Sequence, residues 1–279
     1  MLFSYETLLV GYFIYVIVIA HLLPATRLAR RRVLAVNVSI LAAYTALVLS
    51  RPHLHWVSVV RDWVALGLTI LCYEEMGWLA PSSHRYRLEK SWIVWDRRFL
   101  NDWHVKAAIE RCGWPVAAVL ELSYTFVYVM PVVGLVLLYI YGRADLSDQF
   151  LRLFLLATLS SYALFPYFPS EPPRTAFPAD NLPRVNTAFR KFNLWMLDRT
   201  GIHTSVFPSA HVSGAFGVAF AILRILPDDR GAGWCLLVLA CSITIATVYG
   251  RYHYLVDALA GIGMSLLALV VAIAWERLF

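Results

Sequence analysis

Charged residues are scarce in this chain. Asp, Glu, Lys and Arg make up 15% of its 279 residues, whereas hydrophobic residues make up 60%. A soluble domain carries roughly a quarter charged residues, so this scarcity excludes an ordinary soluble protein. The ten Trp and fifteen Tyr residues suit the aromatic belts that form at the two surfaces of a membrane. We therefore expect an all-α integral membrane protein, built as a helical bundle.

Other signals are missing as well. The net charge is +6, but there is no Lys- and Arg-rich tail and no nucleic-acid-binding motif, so nucleic acid is not expected as a partner. Neither Lys nor Arg precedes the first apolar run, so we expect no cleaved signal peptide. The four cysteines lack the spacing of metal ligands and are predicted to be small buried hydrophobic residues: Cys72, Cys112, Cys235 and Cys241.

Long apolar windows occupy most of the chain. Eight of them are long enough, or nearly so, to span a bilayer: residues 2–23, 33–49, 63–79, 114–141, 153–168, 212–226, 232–248 and 254–275. No internal repeat or low-complexity tract interrupts them. The sequence predicts one transmembrane domain over residues 1–279.

Two segments between the windows are too polar to cross a membrane. Residues 81–113 alternate aromatic and charged side chains, which predicts a helix docked in the interface with its aromatics toward lipid. Residues 169–207 form a long insertion, and long loops are usually functional or disordered. Its opening prolines predict a rigid, extended chain, and residues 186–199 predict a short interfacial helix with one aromatic face.

One apolar window contains a carboxylate, Glu121. An ionisable group inside a membrane segment is a functional candidate. A hydrogen bond to a neighbouring helix explains it equally well, and the sequence alone leaves both interpretations open.

The polar stretch at residues 247–257, Thr-Val-Tyr-Gly-Arg-Tyr-His-Tyr-Leu-Val-Asp, is the strongest functional signal. If the chain forms a helix after Gly250, His253 and Asp257 lie four residues apart on one face. The carboxylate then accepts from one imidazole nitrogen, fixes the tautomer and leaves the other nitrogen free to react.

A second signal lies at residues 207–211, Phe-Pro-Ser-Ala-His. Ser209 is a good N-cap for the following apolar helix. The free backbone N–H groups and the helix dipole at such a start attract an anion. His211 lies within the same first turn.

With eight spans, the loops that carry Arg174, His211 and His253 emerge on one face of the membrane. Two histidines, a carboxylate, arginines and a helix N-terminus suit phosphoryl transfer without a metal: one histidine attacks phosphorus and the other protonates the leaving oxygen. Two alternatives are a metalloenzyme that uses His203, His211, His253 and Asp257 as ligands, and a transporter or channel whose polar groups line a path.

Residues 207–211 and 251–257 resemble the second and third signatures of the type 2 phosphatidic acid phosphatase superfamily. The His-Tyr-x-x-Asp form resembles the branch of inositol phosphorylceramide synthases and, more distantly, sphingomyelin synthases. The resemblance implies a six-helix catalytic core over residues 56–279 and about two additional N-terminal helices over residues 1–55. It also implies that His253 forms a phosphohistidine, Asp257 orients it, and His211 acts as general acid and then base. No metal and no cofactor are implied.

The chain departs from the superfamily pattern around the phosphate. If Arg174 is the arginine of the first signature, Tyr167 takes the place of its lysine and Thr175 that of its proline. Ala246 and Thr247 replace the Ser-Arg pair of the third signature, and Ala210 replaces a glycine. The predicted phosphate-binding residues are therefore Arg174, Ser209, Ala210, Arg251 and Lys191.

The expected substrate is a lipid phosphate ester, with water or a lipid alcohol as acceptor. Of the 24 Lys and Arg residues, 17 fall on the side of the predicted site, which by the positive-inside rule would be cytoplasmic. Six of those 17 lie in the site loops themselves, where a phosphate would require them. The resemblance instead implies an exoplasmic site, in the cell membrane if the protein is bacterial.

Overall fold

A computed structural model describes residues 3–49, 55–81, 84–228 and 230–278 of the chain. These residues form thirteen α-helices and no β-strand, which confirms the all-α prediction. The first seven are α1 (Ser4–Leu22), α2 (Arg27–Leu49), α3 (His55–Leu79), α4 (Arg87–Arg97), α5 (Val105–Arg111), α6 (Trp114–Phe126) and α7 (Met130–Ile140). The remaining six are α8 (Ser147–Leu164), α9 (Pro173–Ala176), α10 (Ala188–Thr200), α11 (Ala210–Ile225), α12 (Arg230–Tyr249) and α13 (Leu255–Leu278).

Five helices in the described part of the chain are long and apolar enough to cross a membrane: α1, α3, α8, α12 and α13. The predicted span at residues 114–141 is broken into α6 and α7, which meet at an angle of 72° and together make a sixth candidate. The two remaining predicted spans coincide with α11, a shorter apolar helix, and with α2, which begins with an arginine-rich turn. Those two spans stay predictions.

The centre of the bundle is α11, which packs against α8, α12 and α13. Nearly its whole surface is buried, and small residues fill the contact with α8. A side chain at Gly217 would meet the Ala157 methyl group at 2.9 Å. Because small residues allow membrane helices to approach closely, α11 packs tightly against α8. The N-terminus of this well-packed helix carries His211.

The segment that follows α3 docks on the bundle surface as a helix, α4, as predicted. Its buried side chains are Glu89, Ile93 and Asp96, whereas Trp95 is half exposed. The aromatic residues do not all face outward, because Trp92 stacks on Phe207 and contacts Tyr254. The prediction that the aromatics of this segment point to lipid is therefore wrong for Trp92, which covers the site loops.

The long insertion between α8 and α11 is more ordered than its sequence suggests. Its prolines do not keep it extended, because proline fits the first turn of a helix and α9 begins at Pro173. The helix predicted at residues 186–199 is confirmed as α10. Its buried face carries Arg190, Asn193 and Leu197, and the aromatic face is turned outward, with Trp195 49% exposed.

The cysteines follow their prediction only in part. Cys72 is buried, whereas the other three, Cys112, Cys235 and Cys241, are exposed and not in disulfides. Cys235 and Cys241 lie on α12, and an apolar helix that faces lipid does not need to bury its small residues. Cys112 follows the short polar helix α5.

Candidate active site

The first element of the site is the start of α11. Ser209 is the N-cap, and its hydroxyl accepts a hydrogen bond from the backbone N–H of Val212 at 3.4 Å, as predicted. The N–H groups of Ala210 and His211 lie in the first turn and have no acceptor within the helix. Both residues line a cavity, so the helix start presents its dipole and two donors toward that space.

The second element is the turn between α12 and α13. Helix α12 ends at Tyr249, and the N–H groups of Tyr252 and His253 both donate to the carbonyl of Thr247. Arg251 adopts a positive φ of 65°. The helix predicted to begin after Gly250 starts only at Leu255, because the turn uses the carbonyl and the N–H groups that a continued helix would need. His253 and Asp257 therefore do not share a helical face.

The two histidines nevertheless meet. Nε2 of His253 lies 3.1 Å from Nδ1 of His211, within hydrogen-bond distance. Nδ1 of His253 lies 3.1 Å from the carbonyl oxygen of Val206. A carbonyl only accepts, so Nδ1 of His253 carries the proton and donates to it. Nε2 then holds the lone pair, and Nδ1 of His211 donates to it.

Asp257 is placed differently from its prediction. Its Oδ2 atom accepts from the N–H of Tyr254 at 2.9 Å and lies 3.6 Å from Nδ1 of His253, too far for a hydrogen bond. The carbonyl of Val206, and not the carboxylate of Asp257, fixes the tautomer of His253. The carboxylate is fully buried, and in the described part of the chain it is the one acidic group within 4 Å of a ring nitrogen of His253.

Burial keeps His253 neutral. The side chain is enclosed, and this loss of hydration, together with the charge of Arg174, lowers the pKa of His253 to about 3. A neutral imidazole with its lone pair on Nε2 is the form that attacks an electrophile.

The histidines line a cavity of about 340 Å³, in the size range of small-molecule sites. Its walls come from α3, α6, α8, α10 and α11 and are mostly apolar and aromatic. Among the described residues that line it, Arg174 and Glu74 are the ones with charged side chains. The cavity is therefore suited to a largely apolar ligand with an anionic end.

Arg174 supplies the positive charge. Its backbone N–H donates to the carbonyl of Arg251 at 3.2 Å, which fixes α9 against the turn that carries His253. The side chain is half buried and lines the cavity. No carboxylate within the described ranges forms an ion pair with it, so its charge is available to a ligand.

Three of the other predicted phosphate ligands are placed away from the cavity. The Arg251 side chain is fully buried and ion-paired with Asp96 of α4. Lys191 is exposed and does not line the cavity. Ser209 uses its hydroxyl as a cap and its N–H to bind the carbonyl of Asp257 at 3.1 Å. Ala210 lines the cavity and these three side chains do not. The phosphate-binding roles stay predictions, and the geometry favours Arg174 and Ala210.

A buried polar network, which the sequence left undecided, surrounds Glu121. Its carboxylate accepts from Arg190 at 2.9 Å, from Asn193 at 2.9 Å and from the hydroxyl of Tyr252 at 2.5 Å. Arg190 also donates to the carbonyl of Gly250 at 3.1 Å. The hydrogen-bonding interpretation of Glu121 is confirmed, and the network holds the turn on the N-terminal side of His253.

Asp96, which sequence reasoning did not single out, holds the same turn from the other side. Its carboxylate pairs with Arg251 and accepts from the N–H of Leu255 at 2.8 Å, at the start of α13. Burial is the largest influence on this carboxyl group and raises its pKa to about 6.

The ligand set of the metalloenzyme alternative is not assembled. Within the described ranges, no group of three or more His, Cys, Asp and Glu side chains is placed to hold a metal ion. His203, which that alternative requires, is exposed.

The comparisons with known proteins agree with this geometry. A sequence model described as the PAP2 superfamily matches residues 90–271, which is well over half of the chain and contains Arg174, His211, His253 and Asp257. The chain belongs to the PAP2 superfamily. The resemblance to type 2 phosphatidic acid phosphatases is thus confirmed at the level of the superfamily, while the inositol phosphorylceramide synthase branch stays a prediction.

A PA-phosphatase related-family protein of Dictyostelium discoideum is 26% identical to this PAP2 chain over 219 residues, which is 70% of the chain and 37% of that protein. The chain therefore spans little more than a third of that relative's length. No solved structure gives a significant match. The PAP2 match begins within α4, and the proposed division into residues 1–55 and 56–279 stays a prediction.

Proposed function

We propose that this protein is a membrane-embedded enzyme that removes or transfers the phosphate group of a lipid phosphate ester through a phosphohistidine at His253. The observation that carries the proposal is the pairing of the two histidines. A neutral His253 presents Nε2 at 3.1 Å from Nδ1 of His211, in an apolar cavity that also contains the unpaired charge of Arg174. PAP2 membership supports a phosphatase-type reaction on a lipid phosphate.

In the first step, the phosphate enters between the histidines and replaces their mutual hydrogen bond. Arg174 and the N–H groups of Ala210 and His211 neutralise its oxygens. Nε2 of His253 attacks phosphorus, the bond to the lipid oxygen breaks, and His211 gives a proton to that oxygen. His211 obtains this proton from a monoanionic phosphate, since the second pKa of a phosphate monoester is about 6.

In the second step, His211 removes a proton from the acceptor. The acceptor oxygen attacks phosphorus, the bond to Nε2 breaks, and its electron pair returns to His253. Asp257 contributes by its charge, because its carboxylate lies 3.6 Å from Nδ1 of the ring that becomes cationic. Water as acceptor gives hydrolysis, and a lipid alcohol gives transfer.

Hydrolysis has the support of the superfamily and of the relative, whose name describes a PA-phosphatase related protein. Transfer to a lipid alcohol, as in inositol phosphorylceramide synthases, is supported by the His-Tyr-x-x-Asp sequence at residues 253–257. We place the site at the exoplasmic face on the resemblance alone. The transporter alternative predicts tracer flux without phosphate release.

The test is turnover by purified protein in nanodiscs with labelled lipid phosphates, with and without a lipid alcohol. His253→Ala is expected to abolish release of phosphate and formation of new phospholipid. His203→Ala is the matched control, because this histidine, in the insertion before α11, is exposed and should be dispensable. Full turnover by His253→Ala on every lipid phosphate tested would refute the mechanism, and turnover that survives a strong chelator argues against the metal alternative.

A further inference from the structure

Three buried hydroxyl groups of the described residues line the cavity without a protein partner at hydrogen-bond geometry. They belong to Tyr124 of α6, Thr158 of α8 and Ser205 of the segment before α11, and their residues are 0%, 4% and 5% exposed. Within the described ranges, the hydroxyls of Thr158 and Ser205 have no protein partner. That of Tyr124 has the hydroxyl of Tyr128, also on the cavity wall, as a neighbour, and a hydroxyl with one donor and two lone pairs keeps capacity for a ligand beside it. A buried hydroxyl is normally hydrogen-bonded, because leaving it unpaired is costly. Three of them along one cavity point to a ligand that supplies the missing partners.

Two of these hydroxyls belong to residues beside His211. The ring of Tyr124 lies 5.3 Å from the ring of His211, centroid to centroid. Thr158 faces Gly214, which lies one turn of α11 beyond His211 on the wall of the same cavity. A side chain at Gly214 would meet Oγ1 of Thr158 at 3.1 Å. The glycine therefore leaves the space in front of this hydroxyl open.

The position beside His211 is the alcohol side of the reaction. In the proposed function, on which this inference rests, His211 exchanges a proton with the oxygen of the leaving alcohol, and the phosphate itself faces Arg174 and the start of α11. Groups next to His211 therefore contact the lipid beyond its ester oxygen. In a transfer reaction the acceptor alcohol takes the same place, since it enters where the first alcohol left.

We propose that Tyr124, Thr158 and Ser205 form a subsite for an uncharged hydrogen-bonding group of the lipid, a hydroxyl or an amide adjacent to the carbon that bears the phosphate. A hydroxyl both donates and accepts, so these side chains complement a neutral polar group. A plain alkyl phosphate leaves them unpaired. A site built to bind a substrate hydroxyl discriminates strongly against an analogue that lacks it, so the subsite selects the lipid class.

The experiment compares two lipids of equal chain length, a plain alkyl phosphate and its analogue with a hydroxyl or amide on the neighbouring carbon. The wild type is expected to prefer the polar lipid in kcat/KM. Thr158→Val and Tyr124→Phe keep the shape of the side chain and remove the hydroxyl. Each is expected to lower kcat/KM for the polar lipid by about 3- to 10-fold, the effect of one hydrogen bond, and to leave the plain lipid unchanged.

Thr69→Val is the matched control. Thr69 lines the same cavity, but its hydroxyl already donates to the carbonyl of Leu66 at 2.6 Å, so its removal should not alter the preference between the lipids. Equal losses for both lipids in Thr158→Val and Tyr124→Phe, or an unchanged preference, would overturn the subsite. Equal losses indicate contact with the phosphate or damage to packing, and an unchanged preference indicates hydroxyls that bind only water.

Binding separates this inference from the proposed function. Dissociation constants of the two lipids are measured on the His253→Ala background, with and without Thr158→Val. A preference for the polar lipid that Thr158→Val removes, together with a wild-type protein that turns over neither lipid, retains the subsite and rejects the reaction. Turnover of both lipids by the wild type, together with equal affinity for the two lipids on the His253→Ala background, retains the reaction and rejects the subsite.

Discussion

Nδ1 of His211 and Nε2 of His253 face each other at 3.1 Å at the wall of the cavity. Because Nδ1 of His253 donates to the carbonyl of Val206, the lone pair of His253 points toward His211 and the space that a phosphate would enter. The nucleophile is thus in its reactive tautomer before a substrate binds. The proton that the leaving oxygen needs arrives with the phosphate and reaches that oxygen through His211.

His211→Ala should slow the first step with a lipid phosphate by about 10²- to 10⁴-fold, the usual contribution of a general acid. The rate with an aryl phosphate should fall much less, because its leaving oxygen is stable as an anion and needs no proton. Single-turnover rates with both substrates measure the difference. Equal losses for the two substrates would show that His211 does not protonate the leaving group.

Asp257→Asn should lower kcat and leave KM little changed. The amide keeps an oxygen for the N–H of Tyr254, and Val206 still fixes the tautomer of His253. What is lost is the negative charge beside the ring when it becomes cationic, and a loss confined to the transition state lowers kcat. Steady-state kinetics test this. A variant with unchanged kcat would contradict an electrostatic role for the carboxylate.

Arg174 and Arg251 should respond in opposite ways. Arg174→Gln removes a charged hydrogen bond to phosphate worth about 1.5–3 kcal/mol, so kcat/KM should fall by roughly 10- to 100-fold, with the melting temperature maintained. Arg251→Met leaves Asp96 buried without its partner, which typically costs about 3–5 kcal/mol of unfolding free energy. Thermal unfolding and steady-state kinetics of both variants distinguish the phosphate-binding role from the structural role. A stable Arg251→Met protein with a raised KM would restore Arg251 as a phosphate ligand.

Glu121→Ala should destabilise the protein by about 3–5 kcal/mol, because it leaves the buried guanidinium of Arg190 unpaired. Asp145→Ala is the matched control. Asp145 pairs with Arg143 at 3.8 Å and both side chains are exposed, and such a surface pair contributes at most about 1 kcal/mol. Thermal unfolding of both variants measures the contrast. Similar melting temperatures would show that the Glu121 network does not hold the turn.

The stability of the folded protein should depend on pH because His253 binds a proton more readily in the unfolded chain. The pKa of this residue is about 3 in the folded protein and 6.5 in the ordinary imidazole, so between these values the unfolded chain binds more protons. Stability should therefore fall as the pH drops below 6.5, by up to about 1.4 kcal/mol per pH unit. Melting curves of the wild type and His253→Gln compare the slopes. Identical slopes would show that His253 is not buried as a neutral ring.

The elements that local patterns specify could be read from the sequence. Apolar windows gave the positions of most long helices, and Ser209 gave the start of α11 through its capping chemistry. His211 and His253 were found because a polar residue at the end of an apolar helix is conspicuous.

The partners of these residues could not be read in the same way. The carbonyl of Val206 belongs to the backbone and leaves no mark in the sequence, although it fixes the tautomer of His253. Arg251 is two residues from His253, yet its positive φ and its pairing with Asp96, 155 residues away, place its charge outside the cavity. Glu121 and Arg190 meet only when α6 packs against α10. Such contacts depend on tertiary packing, which sequence spacing does not encode.

The central claim is a covalent phosphohistidine, and trapping it is the most direct measurement. Protein is mixed with a lipid phosphate labelled in its phosphoryl group, quenched within one turnover and digested under alkaline conditions, in which phosphohistidine survives. Label on the peptide that contains His253, lost on brief acid treatment and absent from His253→Ala, is the expected result. Turnover without a labelled protein, or label on any other residue, would contradict the account.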